Sequence, residues 1–194
     1  MDPIVLNTLV ATGLGLGLAA ASGLRVFVPL LLLGLAARGD VVPLASGFEW
    51  LASTPALISL GTATIFEVAA YYIPWFDNVL DTLATPASMV AGAIATASVL
   101  GDLPPWAQWA IAVLGGGSAA GLVAGSTSLL RLKSTAFTGG AGNFVVATLE
   151  LFGAVVTSLV AILVPLLALA VVLAIGFAAY RLSRRLLTPR PATR

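Results

Sequence analysis

Four charged side chains lie within or beside stretches that carry no other charge. Glu67 has thirteen uncharged residues before it, back to Thr54, and nine after it, while Glu150 precedes thirty uncharged residues. An ionisable group inside a bilayer is costly and usually faces a cavity or a charged partner. Arg25 precedes the first glutamate and Arg131 precedes the second. The sequence therefore predicts a polar site built from two arginines and two glutamates.

Two interpretations of this site remain open at the level of sequence. Buried ion pairs are often neutral for stability, so the four groups could form pairs that only fix helix register. Alternatively, they line a pathway or bind a ligand near the middle of the membrane. Ser22 and Ser128 each lie three residues before an arginine, and a hydroxyl, a guanidinium and a helix N-terminus all favour an anion. The glutamates instead suit a proton or a cation. Asn143 is most simply a helix cap, and we include it in the candidate pathway.

The two arginines end two similar stretches, Gly15–Arg25 and Gly121–Arg131. At an offset of 106 residues, five of the eleven positions are identical. Arginine is scarce before the C-terminal tail, so a register that pairs two of them is not easily produced by chance. We predict an internal duplication with halves 1–102 and 103–194 and with inverted topology.

A weaker candidate is a metal site at Asp77 and Asp81, which share one face if the segment is helical. Two carboxylates are fewer than Mg²⁺ or Ca²⁺ sites usually supply, and a solvated helix start explains the pair more simply. The chain contains no His and no Cys, which removes the commonest metal ligand and the usual catalytic triads. We therefore expect no cofactor, and enzymatic activity is not favoured.

The elements that must position these residues are apolar. Of 194 residues, 59% are hydrophobic and only 9% are charged, against about 25% charged residues in soluble domains. This composition predicts an all-α integral membrane protein with six to eight apolar helical elements. Residues 4–21 are close to spanning length, whereas 24–37 and 129–137 are too short to span, which indicates broken helices. Residues 151–180 are too long for one upright helix, so Pro165 marks a kink or the corner of a hairpin.

Charge distribution predicts orientation and partners. The net charge of +1 provides no basic field for nucleic acid. Five arginines crowd the C-terminal tail, and the positive-inside rule then places that tail in the cytoplasm, in our expectation that of a bacterial cell. We expect membrane lipids and a small anion, proton or cation as partners. The sequence leaves homo-oligomerisation open.

Several short motifs carry a resemblance to a known family. They are Phe66-Glu67, Ile73-Pro74, Asp77, Asp81, Thr85-Pro86, Gly23-Leu24-Arg25, and Gly139-Gly140-Ala141-Gly142-Asn143 with Glu150. With these motifs the chain resembles an uncharacterised bacterial membrane family, domain of unknown function 4126, over about residues 10–180. The chain has Leu151 and Ala87 where the family pattern suggests an acidic and a basic residue. The resemblance implies a multispanning membrane protein and no specific activity.

The sequence thus favours a small transporter or channel, with an anion or anionic metabolite as its cargo. A first alternative is a membrane enzyme or lipid-binding protein that acts on an anionic headgroup. A second alternative is a structural or assembly protein, in which the glycine-rich faces of the first and fifth elements would pack against a partner.

Overall fold

The architecture is all-helical throughout the part of the chain that the structure describes. This computed structural model describes the backbone of residues 3–73 and 76–187, and all their side chains except those of residues 3, 76–82, 179, 180 and 182–187. The helices are α1 Pro3–Ser22, α2 Phe27–Arg38, α3 Thr54–Ala70, α4 Phe76–Ala97, α5 Pro105–Ile111, α6 Ser118–Thr138, α7 Asn143–Leu163 and α8 Pro165–Leu187. A 3₁₀ turn, Glu49–Ala52, precedes α3. The predicted all-α class is confirmed.

Helices α5 and α6 are continuous through a π-helical segment, Ala112–Gly117, and together form one helical stretch of 34 residues. The predicted short element at 129–137 is therefore wrong, because it is the end of this long helix. The polar run before it does not break the helix, since Ser126 and Thr127 donate to carbonyls of the preceding turn. The helix ends at Gly139, which adopts a left-handed φ of 62°. Counted this way, the described chain has seven helices, within the predicted six to eight.

Within the described residues, three helical stretches are long and apolar enough to cross a bilayer, which is consistent with an integral membrane protein. They are Ile4–Ser22, Pro105–Thr138 and Asn143–Leu163, and shorter apolar helices pack around them. The sequence predicted either a kink or the corner of a hairpin at Pro165. A Cβ on Gly17 would lie 2.7 Å from Ala161 Cβ and 2.9 Å from Ala168 Cβ. In one straight helix, Ala161 and Ala168 would be about 10 Å apart along the axis. Because both would contact the same atom on Gly17, the chain turns sharply between them, and α8 packs alongside α1.

Helix α4 shows the relative direction of the two arginine-containing stretches. Thr96 contacts Gly15 of α1, and Gly92 contacts Ala19 one turn further along α1. In the same order, Thr96 contacts Gly116 of the π-helical segment, and Gly92 contacts Ala120 of α6. Both stretches therefore run in the same direction, antiparallel to α4, which differs from the inverted topology predicted from sequence. Small residues on both stretches pack onto the same face of α4, and this close packing fixes the common direction.

The glycine-rich faces of the first and fifth elements are used inside the molecule. Gly17 packs against α7 and α8, while Gly116 packs against Gly92 and Thr96 of α4. Thr96 also donates to the Gly15 carbonyl at 3.1 Å, which joins α1 and α4. These faces are therefore occupied by the chain's own helices.

Candidate functional site

The site begins at the break between α1 and α2. After Ser22, the chain turns through residues 23–26, and α2 starts at Phe27. A Cβ on Gly23 would lie 2.5 Å from the Ala120 carbonyl oxygen and 2.6 Å from Val123 Cβ of α6. A glycine is thus required where α6 presses on the turn. The turn leaves the first backbone N–H groups of α2 directed at a neighbouring helix.

Glu67 of α3 accepts those N–H groups. The amide of Val26 donates to Oε1 at 2.7 Å, and the amide of Phe27 donates to Oε2 at 3.1 Å. The carboxylate is 8% exposed. A helix N-terminus favours negative charge because its N–H groups have no intrahelical partner. Glu67 therefore holds the position that a bound anion would take.

Arg25 lies next to this carboxylate and is almost completely buried, at 1% exposure. Its Nη2 donates to the Ala147 carbonyl at 2.8 Å, and its Nη1 lies 3.6 Å from Glu150 Oε2. Within the described residues, Nε and Nη1 have no hydrogen-bond partner. A buried donor left unsatisfied costs about 1–3 kcal/mol, more when charged, so these two N–H groups retain unused hydrogen-bonding capacity.

Arg131 of α6 and Glu150 of α7 form a direct ion pair. Arg131 Nε donates to Glu150 Oε1 at 3.1 Å, and its Nη2 contacts the other carboxylate oxygen. This two-point contact is the geometry in which guanidinium and carboxylate bind most strongly. The pair is buried, with 2% and 6% exposure of the two residues. The four predicted charges therefore come together in one cluster.

Tyr71 belongs to the same cluster, although the sequence analysis did not include it. The guanidinium carbons of Arg25 and Arg131 lie 4.0 and 4.1 Å from its ring centroid. Cations over an aromatic face are attracted to the ring electrons. Tyr71 follows Glu67 by four residues, and this spacing, which places two side chains on one helix face, was the signal available in the sequence.

A cavity of about 10 Å³ lies inside the cluster, bounded by both glutamates, Arg131, Tyr71 and Ser128 among others. This volume is about that of one water molecule. Of the other predicted site residues, Ser22 is fully buried and donates to the Leu18 carbonyl.

The remaining predicted residues lie away from the cavity or outside the described part. Asn143 donates to Thr135 Oγ1 at 2.9 Å and ties the start of α7 to α6. The side chains of Asp77 and Asp81 lie outside the described residues. Among the side chains that the structure describes, no group of three or more acidic residues could hold a metal ion.

The cluster lies toward one end of the helix bundle. Arg131 is seven residues before the end of α6, and Glu150 is seven residues after the start of α7. At 1.5 Å per residue, this places the charges about 10 Å below those helix ends. Glu67 similarly lies in the last turn of α3. From the sequence we expected a position near the middle of the membrane, but the helix bounds place the site closer to one end of the helices.

A larger apolar groove lies on the other side of Glu67. Its volume is about 490 Å³, and it runs between α2, α3 and α4 along residues that include Phe27, Ala63 and Phe66. Glu67 and Tyr71 line both the groove and the inner cavity. The two side chains therefore separate an apolar space from the charged cluster.

Comparison with known proteins gives one match. A family model described as "Domain of unknown function (DUF4126)" matches residues 12–185. No curated protein and no solved structure matches the chain significantly.

Proposed function

Because the chain belongs to the DUF4126 family, which is named for its unknown function, we propose from the geometry of the site that the protein is a small membrane transporter or channel for a small anion. The observation that carries the proposal is the surroundings of Arg25. Two of its buried N–H donors are open among the described residues, beside a helix N-terminus that already binds a carboxylate.

The positive and negative groups of the cluster are equal in number, which favours exchange of one bound anion for another over binding of an additional anion. Arg25 and Arg131 contribute two positive charges, while Glu67 and Glu150 contribute two negative ones. Glu150 is fixed by two hydrogen bonds to Arg131, whereas Glu67 is held only by backbone amides and borders the open groove. Glu67 is thus the carboxylate that a mobile anion can replace.

We propose an orientation from the helix packing and the basic tail. Helix α8 packs alongside α1, and we propose that it returns the chain to the side of the bundle on which the cluster lies. If arginines of the tail remain in the cytoplasm, the cluster opens toward the cytoplasm of a bacterial cell. The internal duplication of the halves 1–102 and 103–194 belongs to the proposal as well.

Anion flux into liposomes tests the proposal. Purified protein is reconstituted, and nitrate, chloride and formate uptake are compared for wild type, Arg25→Ala, Arg25→Lys and Glu67→Gln. We expect flux to be lost in Arg25→Ala and Glu67→Gln and strongly reduced in Arg25→Lys, because an ammonium lacks the planar fork of donors. Glu49→Gln is the matched control, since Glu49 is exposed and bonds only to the nearby Gly47 amide among the described contacts. Unchanged flux in folded Arg25→Ala would contradict the assignment.

The apolar groove favours a second candidate function, a protein that binds a lipid or acts on its anionic headgroup. A groove bordered by Glu67 would accept a molecule with an acyl chain and a charged end. Metal-dependent turnover of a lipid, lost on substitution of Asp77 and Asp81, would select the enzymatic form of this candidate.

A further inference from the structure

We infer that the ligand of this site is a monocarboxylate with an apolar tail, whose carboxylate replaces that of Glu67 at the start of α2 while its tail lies in the groove. The inference rests on the proposed function and names the class of substrate. It depends on one juxtaposition: Glu67 and Tyr71 form the wall between the apolar groove and the charged cluster.

The shape of the binding position favours a carboxylate. Val26 and Phe27 direct two adjacent N–H groups at two separate oxygens of one planar group, at 2.7 and 3.1 Å. The open Nε and Nη1 donors of Arg25 belong to the same cluster. Planar, two-oxygen acceptors suit such a set of donors. Any carboxylate that replaces Glu67 finds the same two backbone donors.

The space around this position requires a small head and admits a long tail. The inner cavity of about 10 Å³ has no room for a phosphodiester with its attached glycerol. The groove, at about 490 Å³, is within the range of about 300–1,000 Å³ that small-molecule sites occupy. Among the side chains that the structure describes, its lining is apolar apart from Glu67 and Tyr71, so it stabilises a hydrocarbon chain and not a second charge.

The depth of the cluster agrees with an amphipathic ligand. The charges lie about 10 Å from the ends of α6 and α7. If the ends of α6 and α7 lie at the membrane surface, a carboxylate at that depth is near the boundary between headgroups and hydrocarbon, because the interfacial layers account for roughly 5–8 Å on each side of the bilayer. The head of an acid that partitions into the membrane then lies at the height of Glu67.

Exchange proceeds with conserved charge when the incoming acid is neutral. The O–H bond of the ligand acid breaks, its proton forms an O–H bond on Glu67, and the ligand remains as the carboxylate on the Val26 and Phe27 amides. Glu67 then turns toward the groove as a neutral acid, which avoids placing a second anion in apolar surroundings. Among the described residues, the ionisable groups that face it are Arg25, Arg131, Glu150 and Tyr71, and Ala84 and Ser88 of α4 beside it carry no charge.

Direct binding of octanoate and formate tests the inference. Calorimetry uses the full chain in nanodiscs, with empty nanodiscs as the reference for partitioning into lipid. In wild type, we expect octanoate to bind at least about tenfold more tightly than formate. In Glu67→Gln, the side chain at position 67 has one acceptor oxygen and can no longer accept hydrogen bonds from both the Val26 and Phe27 amides. Because it then competes less well with the ligand, octanoate should bind about tenfold more tightly than in wild type. Flux is nevertheless lost in this variant, because the side chain at position 67 can no longer displace the bound carboxylate.

A matched pair of alanine substitutions tests the groove separately from the charged cluster. Ala63 lines the groove, whereas Ala69 on the same helix is exposed and does not border it. Ala63→Phe should weaken octanoate binding about tenfold and leave formate binding unchanged. Ala69→Phe should leave both unchanged.

The outcomes separate this inference from the proposed function. Equal binding of octanoate and formate, or octanoate binding that responds to neither Glu67→Gln nor Ala63→Phe, would overturn the amphipathic ligand. In the second case the groove holds membrane lipid only. Nitrate flux that still depends on Arg25 would then leave small-anion transport standing. Loss of the proposed function would appear instead as absence of Arg25-dependent flux for every anion.

Discussion

Arg25 Nη1 and Glu150 Oε2 lie 3.6 Å apart, although the two residues come from opposite halves of the chain. The distance is longer than a hydrogen bond, because Arg131 already takes both oxygens of Glu150 in its own two-point contact. One carboxylate therefore balances two guanidinium groups, while Glu67 is committed to the amides of α2. The arrangement leaves Arg25 buried, with two N–H donors that have no hydrogen-bond partner among the described residues.

Glu150→Gln should destabilise the protein more than any other single loss of charge in the cluster. The substitution leaves Arg25 and Arg131 buried close together without their shared counter-ion, and breaking a buried ion pair costs about 3–5 kcal/mol. We expect a corresponding fall in the free energy of unfolding, measured by denaturant titration in detergent. Glu49→Gln removes an exposed carboxylate and should change stability by less than about 0.5 kcal/mol. Equal effects of the two substitutions would mean that Glu150 does not hold the arginines together.

Comparison of Tyr71→Leu with Tyr71→Phe separates the contribution of the Tyr71 ring to stability from that of its hydroxyl. Both arginines lie about 4 Å from the ring centroid, and a desolvated cation–π contact is worth about 1–2 kcal/mol. Tyr71→Phe retains the ring and should keep most of the stability, whereas Tyr71→Leu should lose about 2 kcal/mol or more. Thermal unfolding in the same detergent measures the difference. A loss that is larger in Tyr71→Phe than in Tyr71→Leu would show that the hydroxyl, and not the ring, is the important group.

The composition of the cluster could be predicted because lipid makes isolated charge expensive. That single argument selected Arg25, Glu67, Arg131 and Glu150, and the structure brings all four together. Tyr71 was missed because an aromatic residue near a helix end is also typical of the membrane interface, and sequence alone does not distinguish the two environments.

The details of helix continuity and direction could not be predicted in the same way. Ser-Thr-Ser at 126–128 resembles a helix break, yet in the structure the hydroxyls of Ser126 and Thr127 bond back to the helix itself. The relative direction of the two arginine stretches depends on which small residues meet Gly92 and Thr96 of α4. Such contacts join residues that are far apart in the chain, so local periodicity contains no information about them.

Gly17→Ala should be destabilising although alanine favours helices. The added Cβ would lie 2.7 Å from Ala161 Cβ and 2.9 Å from Ala168 Cβ, so α7 and α8 must shift, at a cost of about 1–3 kcal/mol. Gly61→Ala on α3 is the matched control, because nothing lies within 4 Å of the added atom. This control should be neutral or stabilising by up to about 1 kcal/mol. Equal melting temperatures for the two variants would contradict the close packing of α1 in the α7–α8 corner.

Single-cysteine labelling should place the charged cluster at the cytoplasmic side of the membrane. The native chain has no Cys, so each introduced thiol is the sole target of a maleimide. Ala136 is exposed near the end of α6 that lies closest to the cluster, and Asp102 is exposed just before α5, at the opposite end of the same long helix. In intact spheroplasts, an impermeant maleimide should label Asp102→Cys and leave Ala136→Cys unlabelled until the membrane is opened. The reverse pattern would place the cluster on the outer side, and labelling of both positions from outside would show that residues 105–138 do not span the bilayer.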